Sequence, residues 1–162
     1  MVAKLSNIQD QCNHAAMAHF SSPDPRTDVS FNLSDHNSYD SIQTLVKAIE
    51  IQDVIGITDL DLGLQQILNK ILVAGQDRPN AVNNVIMFAE GTYDQAANCC
   101  QSPFEGHYAT LLKGRSTVYA VAIGPHSDQE ALSQLTGDPS LVYNMGNYMQ
   151  IVDEICGQIS GC

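Results

Sequence analysis

The sequence predicts a doubly wound α/β fold: a mostly parallel sheet with helices on both faces and a β-hairpin at one edge. Two observations carry that expectation. Asn84–Ala89 (NVIMFA) and Thr117–Ile123 (TVYAVAI) are continuous apolar runs of strand length, the pattern of strands covered on both faces. Stripes of helical spacing alternate with such strands, and a helical crossover between two strands makes them parallel.

The elements follow in order. Val2, Leu5 and Ile8 fit a short helix or the end of a longer one. His14–Phe20 (HAAMAHF) reads as a buried strand, and Ser21–Arg26, with Pro23 and Pro25, as a turn. Thr27–Leu33 places Val29, Phe31 and Leu33 on one face, the period of a half-exposed strand. These two strands make the hairpin. Ser38–Gln52 carries Ile42, Leu45, Val46 and Ile49 at helical spacing. Leu60–Ala74 does the same through Leu60, Leu64, Ile67, Leu68, Ile71 and Leu72, and Gly75 stops it.

After the Asn84 strand, 91–103 is a polar loop and 106–113 a short helix. The Thr117 strand follows. Ser127-Asp128-Gln129-Glu130 reads as a capping box that opens a helix ending near Leu135. Leu141–Asn144 is a short strand. Tyr148, Ile151, Val152, Ile155 and Ile159 stripe a final helix. No internal repeat, low-complexity segment or linker interrupts the chain, so residues 1–162 form one domain.

Composition bounds the function. The chain has 162 residues, 44% of them apolar, which fits a single globular core. The net charge of −11 repels nucleic acid and anionic membrane alike. It suits cations or basic surfaces, or serves solubility alone. No run approaches the roughly 18 apolar residues of a membrane span. The N-terminus lacks the apolar core of a secretory signal, so in a secreted protein the signal would lie upstream.

Five cysteines, Cys12, Cys99, Cys100, Cys156 and Cys162, lack the CxxC spacing of zinc sites. Their placement suits disulfides in an oxidising compartment, with the odd one free or paired outside the chain. Asn32-Leu33-Ser34 is a glycosylation sequon. No GxGxxG, Walker A or G-x-S-x-G motif occurs. Cys99 or Cys100 with His107 would make a thiol nucleophile and base; a loop disulfide, or a free thiol beside a surface histidine, is the simpler account. His14 and His19 are read as edge or core-rim residues and not ligands. The chain is read as a binding module and not an enzyme.

Three stretches together resemble the von Willebrand factor type A family. Gly56-Ile57-Thr58, running into Gly63-Leu64, is similar to the family's G-x-T approach to a helix. Val85-Ile86-Met87-Phe88-Ala89-Glu90-Gly91 is similar to its V-I-x-x-T-D-G strand. Val118–Gly124, Ala131-Leu132, Gly137-Asp138-Pro139-Ser140 and Leu141-Val142-Tyr143 follow the family order into the closing helix. Each motif is weak alone; their order along nearly the whole chain is the specific signal. The resemblance implies a sheet flanked by helices and an extracellular module that binds a protein ligand of the matrix or cell surface. A structural spacer, or a non-binding fragment of a larger secreted protein, is the alternative.

The family's metal-binding members hold a divalent ion with oxygen ligands from three loops. Here the first strand and its Asp-x-Ser-x-Ser are absent, so the resemblance implies a module incomplete at its N-terminus, with the first central strand missing. Asp28-Val29-Ser30 only echoes the motif. Thr58 matches the second ligand position. Glu90 stands at the third, where the family has Asp. Thr58 and Glu90 are therefore the metal candidates for weak magnesium or calcium binding, and no resident cofactor is expected. Thr58 serves equally as the cap of the Leu60 helix, and Glu90 as a solvated loop carboxylate. Asp59 and Asp61 suit the positive end of that helix. The resemblance also places the first and last helices side by side, which implies a Cys12–Cys156 bridge. It leaves Cys162 for a cysteine ahead of the missing strand. Losing ladder bonds worth about 1 kcal/mol each, from a total stability of about 5–15 kcal/mol, would leave the chain marginal, re-paired, or prone to accept a strand from elsewhere.

Overall fold

The computed structural model describes residues 14–20, 28–35, 38–48, 60–73, 81–92, 104 and 106–158. Its centre is β4 (Thr117–Ala122), whose residues from Val118 onward are all buried. β4 pairs in parallel with β3 (Asn84–Ala89) on one side and with β5 (Val142–Asn144) on the other. The register is regular, Asn84 opposite Thr117 through Ala89 opposite Ala122. The two apolar runs are thus the paired strands that the sequence predicts, with β3 matching its predicted bounds.

Helices cover both faces. Val118, Ala120 and Ala122 of β4 join Met87 of β3 in one apolar cluster. That cluster is roofed by α2 (Leu60–Gln66), α3 (His107–Lys113) and α4 (Gln129–Thr136) through Leu60, Leu64, Leu112, Leu132 and Leu135. Small alanines on the strand let these larger side chains approach. Tyr119, Val121 and Tyr143 point to the opposite face, where Ile151 and Ile155 of α5 (Met149–Gln158) close over them. Each fully buried aliphatic side chain contributes about 1.5–3 kcal/mol relative to exposure.

The hairpin forms as predicted but is shorter and stands apart. β1 (Met17–His19) and β2 (Asp28–Phe31) pair antiparallel and make a separate two-stranded sheet. Ala16, Ala18, Phe20, Val29 and Leu33 pack into the same cluster under α2 as the main sheet. Gly63 is the contact that permits this, since a Cβ there would sit 2.8 Å from the Phe20 ring. The predicted buried strand 14–20 is only half-buried, with His19 exposed, because β1 pairs on one edge alone among the described residues.

α1 (Tyr39–Ala48) covers the hairpin's other face, where Ile42 meets Phe31, Ala15 and Met17. Val46 of the predicted stripe is exposed. Strands of three and four residues cover only the first turns of this helix.

Two further departures are local. The Leu60 helix does not run as one α-helix. After Gln66 it widens into a π-turn, Ile67–Ile71, with Leu72 N–H donating to Ile67 O at 2.9 Å. The extra residue keeps Leu68, Ile71 and Leu72 all buried. Leu141 belongs to a 3-10 turn, Pro139–Leu141, capped by Asp138, whose Oδ1 accepts from Ser140 N–H at 2.8 Å. The strand begins only at Val142. Cations close two helix ends, as expected for free carbonyls there: Arg115 donates to Leu72 O, and Lys113 Nζ to Gln134 O at 2.8 Å.

Candidate functional site

Because β3 and β4 are parallel, their C-terminal ends emerge at one edge, the edge that hosts ligands in open α/β sheets. Ile123 N–H donates to Ala89 O at 3.1 Å, the last rung of the ladder. One residue on, Glu90 O accepts from Asp128 N–H at 2.7 Å, locking the β3 exit to the start of α4. Gly91 follows with φ +79°, and a Cβ there would lie 2.4 Å from Asp128 O. Gly124, φ +84°, leaves room for Glu90, whose Oε1 would be 2.8 Å from a Cβ at that position. The Glu90 carboxylate therefore lies over the exit of β4.

Asp128 caps α4. Its Oδ1 accepts from Ala131 N–H at 3.0 Å. The capping box was expected one residue earlier, at Ser127. The structure shifts it because Asp128 is held extended (φ −87°, ψ 95°) by its bond to Glu90, and an aspartate caps as well as a serine. Glu90, Asp128 and Glu130 are all exposed, so this rim is acidic.

Of the two candidate metal ligands, Glu90 is placed at the rim, and Thr58 lies outside the described residues. Among the described residues no group of three or more His, Cys, Asp or Glu side chains converges as a metal site. Glu90, with an Asp128 whose Oδ1 already serves the helix cap, falls short of the six oxygens an octahedral ion requires.

The other candidates disperse. Cys156 is exposed on α5 and bridges to no other described residue. Cys12, Cys99, Cys100 and Cys162 lie outside the described residues, and with them the bridges and the thiol–His107 pair. His107 is exposed at the start of α3 and packs edge-on to Tyr108, centroids 5.3 Å apart. His19 Nδ1 and Ser30 Oγ share a 3.1 Å hydrogen bond across the hairpin, and His14 is half-buried. Asn32 of the sequon opens the turn after β2. Its N–H donates to Asp35 Oδ2 at 2.8 Å and its Oδ1 is buried.

A polar cluster under α5 escaped the sequence reading. Tyr143 donates to Glu154 Oε2 at 2.8 Å and Tyr119 to Oε1 at 3.3 Å, while Gln158 Nε2 donates to Tyr119 at 3.2 Å. Burial, then the carboxylate, pushes the Tyr143 phenol up to about 12. Burial likewise raises Tyr119, against a lowering by the Gln158 bond. Glu154 and Gln158 stand four residues apart beside Ile151 and Ile155; that spacing was the available signal.

A parallel sheet wound on both faces, with loops interlocked at its C-terminal rim, defines a doubly wound α/β module. The chain belongs to the von Willebrand factor type A domain family, which it matches over residues 1–156. Among solved structures it is similar to proximal thread matrix protein 1 from the mussel byssus. In crystal form 2 of that protein the TM-score is 0.73 at 17% identity, over 98% of this chain and 40% of that one. A second structure of the same protein gives 0.64 at 20%, over 98% and 39%. A third, with zinc in its MIDAS motif, gives 0.68 at 20%, over 96% and 38%. The chain thus spans about two fifths of the length of those solved chains. No curated protein sequence matches. No helix among the described residues is long and apolar enough to cross a membrane.

Proposed function

We propose that this chain is an extracellular protein-binding module that uses the rim formed by the exits of β3 and β4 as its contact surface, rather than an enzyme. The observation that carries the reading is the interlock at that rim: Glu90 O bound to Asp128 N–H, with the Glu90 carboxylate over Gly124. It holds an acidic surface rigid, which lowers the ordering cost of binding. Family membership supports adhesion as the task. The similar mussel protein is a byssus thread matrix protein, which favours an extracellular matrix partner. With 18 acidic residues against 7 basic ones, the partner surface is basic.

The rim works without a complete metal cage. Glu90 stands where the family has Asp, and among the described residues no three His, Cys, Asp or Glu side chains converge beside it. Exposed Cys156 on α5 suits the bridge to Cys12, and residues 1–162 act as one domain.

Solid-phase binding to a reconstituted extracellular-matrix preparation, with and without EDTA, tests the proposal. Saturable binding that EDTA leaves unchanged is expected. Absence of saturable binding overturns the function, and loss with EDTA overturns its metal independence.

A further inference from the structure

The Asn32-Leu33-Ser34 sequon takes no part in the rim, and the fold presents it in a form suited to modification. It is the sole N-x-[ST] triplet in the chain, and its middle residue is leucine rather than proline. The turn that carries it is closed from both sides. Asp35 N–H donates to Asn32 O at 3.2 Å, and Asn32 N–H donates to Asp35 Oδ2 at 2.8 Å. Apolar neighbours anchor the backbone on either side of Asn32. Phe31 is buried with Ile42 of α1, and Leu33 packs into the cluster under α2. Ser34 and Asp35, beyond Leu33, are exposed.

The side-chain amide of Asn32 is divided between interior and solvent. Its Oδ1 is buried with no hydrogen-bond partner. Its Nδ2 has no acceptor among the described residues and is not sealed in with the oxygen. In a half-exposed side chain, the nitrogen is thus the polar atom left at the surface. Asn83 differs, since its Nδ2 donates to Arg115 O at 3.5 Å. The bonds that close the turn use only main-chain groups and the Asp35 carboxylate. Replacing one hydrogen on the Asn32 nitrogen breaks none of them. The Ser34 hydroxyl reaches Asp35 Oδ1 only at 3.5 Å, too long to hold it firmly.

We infer that Asn32 carries an N-linked oligosaccharide, attached through N-acetylglucosamine. The inference rests on the extracellular reading above, because the secretory route supplies the sugar donor, a lipid pyrophosphate-linked oligosaccharide. Transfer forms a bond from Nδ2 to the anomeric carbon of the first sugar. The bond from that carbon to the pyrophosphate oxygen breaks, and the lipid pyrophosphate leaves with the electron pair. Nδ2 gives up one proton, and nothing is oxidised or reduced. The glycan projects from the end of β2 as a bulky, solubilising group, while the turn beneath it keeps its hydrogen bonds.

The test expresses the chain behind a cleavable secretory signal in eukaryotic cells. Mass spectrometry reads the peptide containing residue 32 before and after peptide N-glycosidase, which leaves aspartate where a glycan stood. Most signal-cleaved chains should be glycosylated at Asn32. Ser34→Ala, which keeps the asparagine and alters only an exposed side chain, should abolish the modification, and Ser34→Thr should retain it. Hydrogen exchange across residues 28–35 should stay within about twofold of the unglycosylated chain made in bacteria. Signal-cleaved chain without a glycan overturns the inference, exported or not. So does a glycan that survives Ser34→Ala, or faster exchange across 28–35 in the glycosylated form. Chain that is glycosylated but not exported supports the site and overturns the extracellular reading instead.

Discussion

Tyr143 and Glu154 meet across the β5–α5 interface, hydroxyl to carboxylate at 2.8 Å. The bond ties the last helix to an otherwise apolar sheet face, and it has a definite pH dependence. The folded-state phenol is raised to about 12 from an unfolded value of about 10. The folded chain therefore holds this proton more tightly, so the contribution is complete below pH about 10 and is lost as pH rises toward 12. Denaturant midpoints should fall across that window. Glu154→Gln should bring the phenolate absorbance titration back toward the ordinary tyrosine value. Tyr143→Phe should cost about 1 kcal/mol at neutral pH.

Gly91 and Gly157 should respond in opposite directions to alanine. At Gly91 the backbone is left-handed and the new Cβ would press on Asp128 O. Gly91→Ala should cost about 2 kcal/mol or more. Gly157 lies in α5 with nothing within 4 Å of a new Cβ, so Gly157→Ala should stabilise by about 0.5 kcal/mol. Urea unfolding of the two variants checks both signs.

Asp128→Ala removes the observed cap of α4 and should cost about 1 kcal/mol. Asp128→Asn should retain most of it, and Ser127→Ala should change stability little. The reverse ranking would return the cap to Ser127.

Gly63→Ala forces the Phe20 ring away from α2. Hydrogen exchange should quicken at Ala18 and Val29 of the hairpin while Val121 in β4 stays protected. Uniform loosening would mean that hairpin and sheet do not separate in this way.

The layered fold was legible because buried parallel strands are unmistakable as apolar runs, and β3 kept the bounds Asn84–Ala89. What escaped depends on contacts distant in sequence. Asp128 won the cap through a bond to Glu90, 38 positions earlier in the chain. The π-turn at Ile67 arises from burial of Leu68, Ile71 and Leu72 together, which a helical stripe does not encode. His14–Phe20 looked interior because its residues are small and apolar, yet β1 lies in a separate, half-exposed sheet. At the rim, Glu90 was singled out through its motif, while its seat over Gly124 needed the left-handed turn of that glycine. Tyr119 and Tyr143 entered only as members of strand runs, and only the helix facing them revealed their carboxylate.

The ratio of matrix affinities for two charge-adding variants tests the binding face most directly. Glu90→Lys changes the rim. Leu111→Lys changes α3 at a side chain already 43% exposed. Glu90→Lys should weaken binding to the matrix preparation at least about tenfold, about 1.4 kcal/mol, with Leu111→Lys close to the unaltered chain. Equal affinities for the two variants would contradict the assignment of the rim as the contact surface.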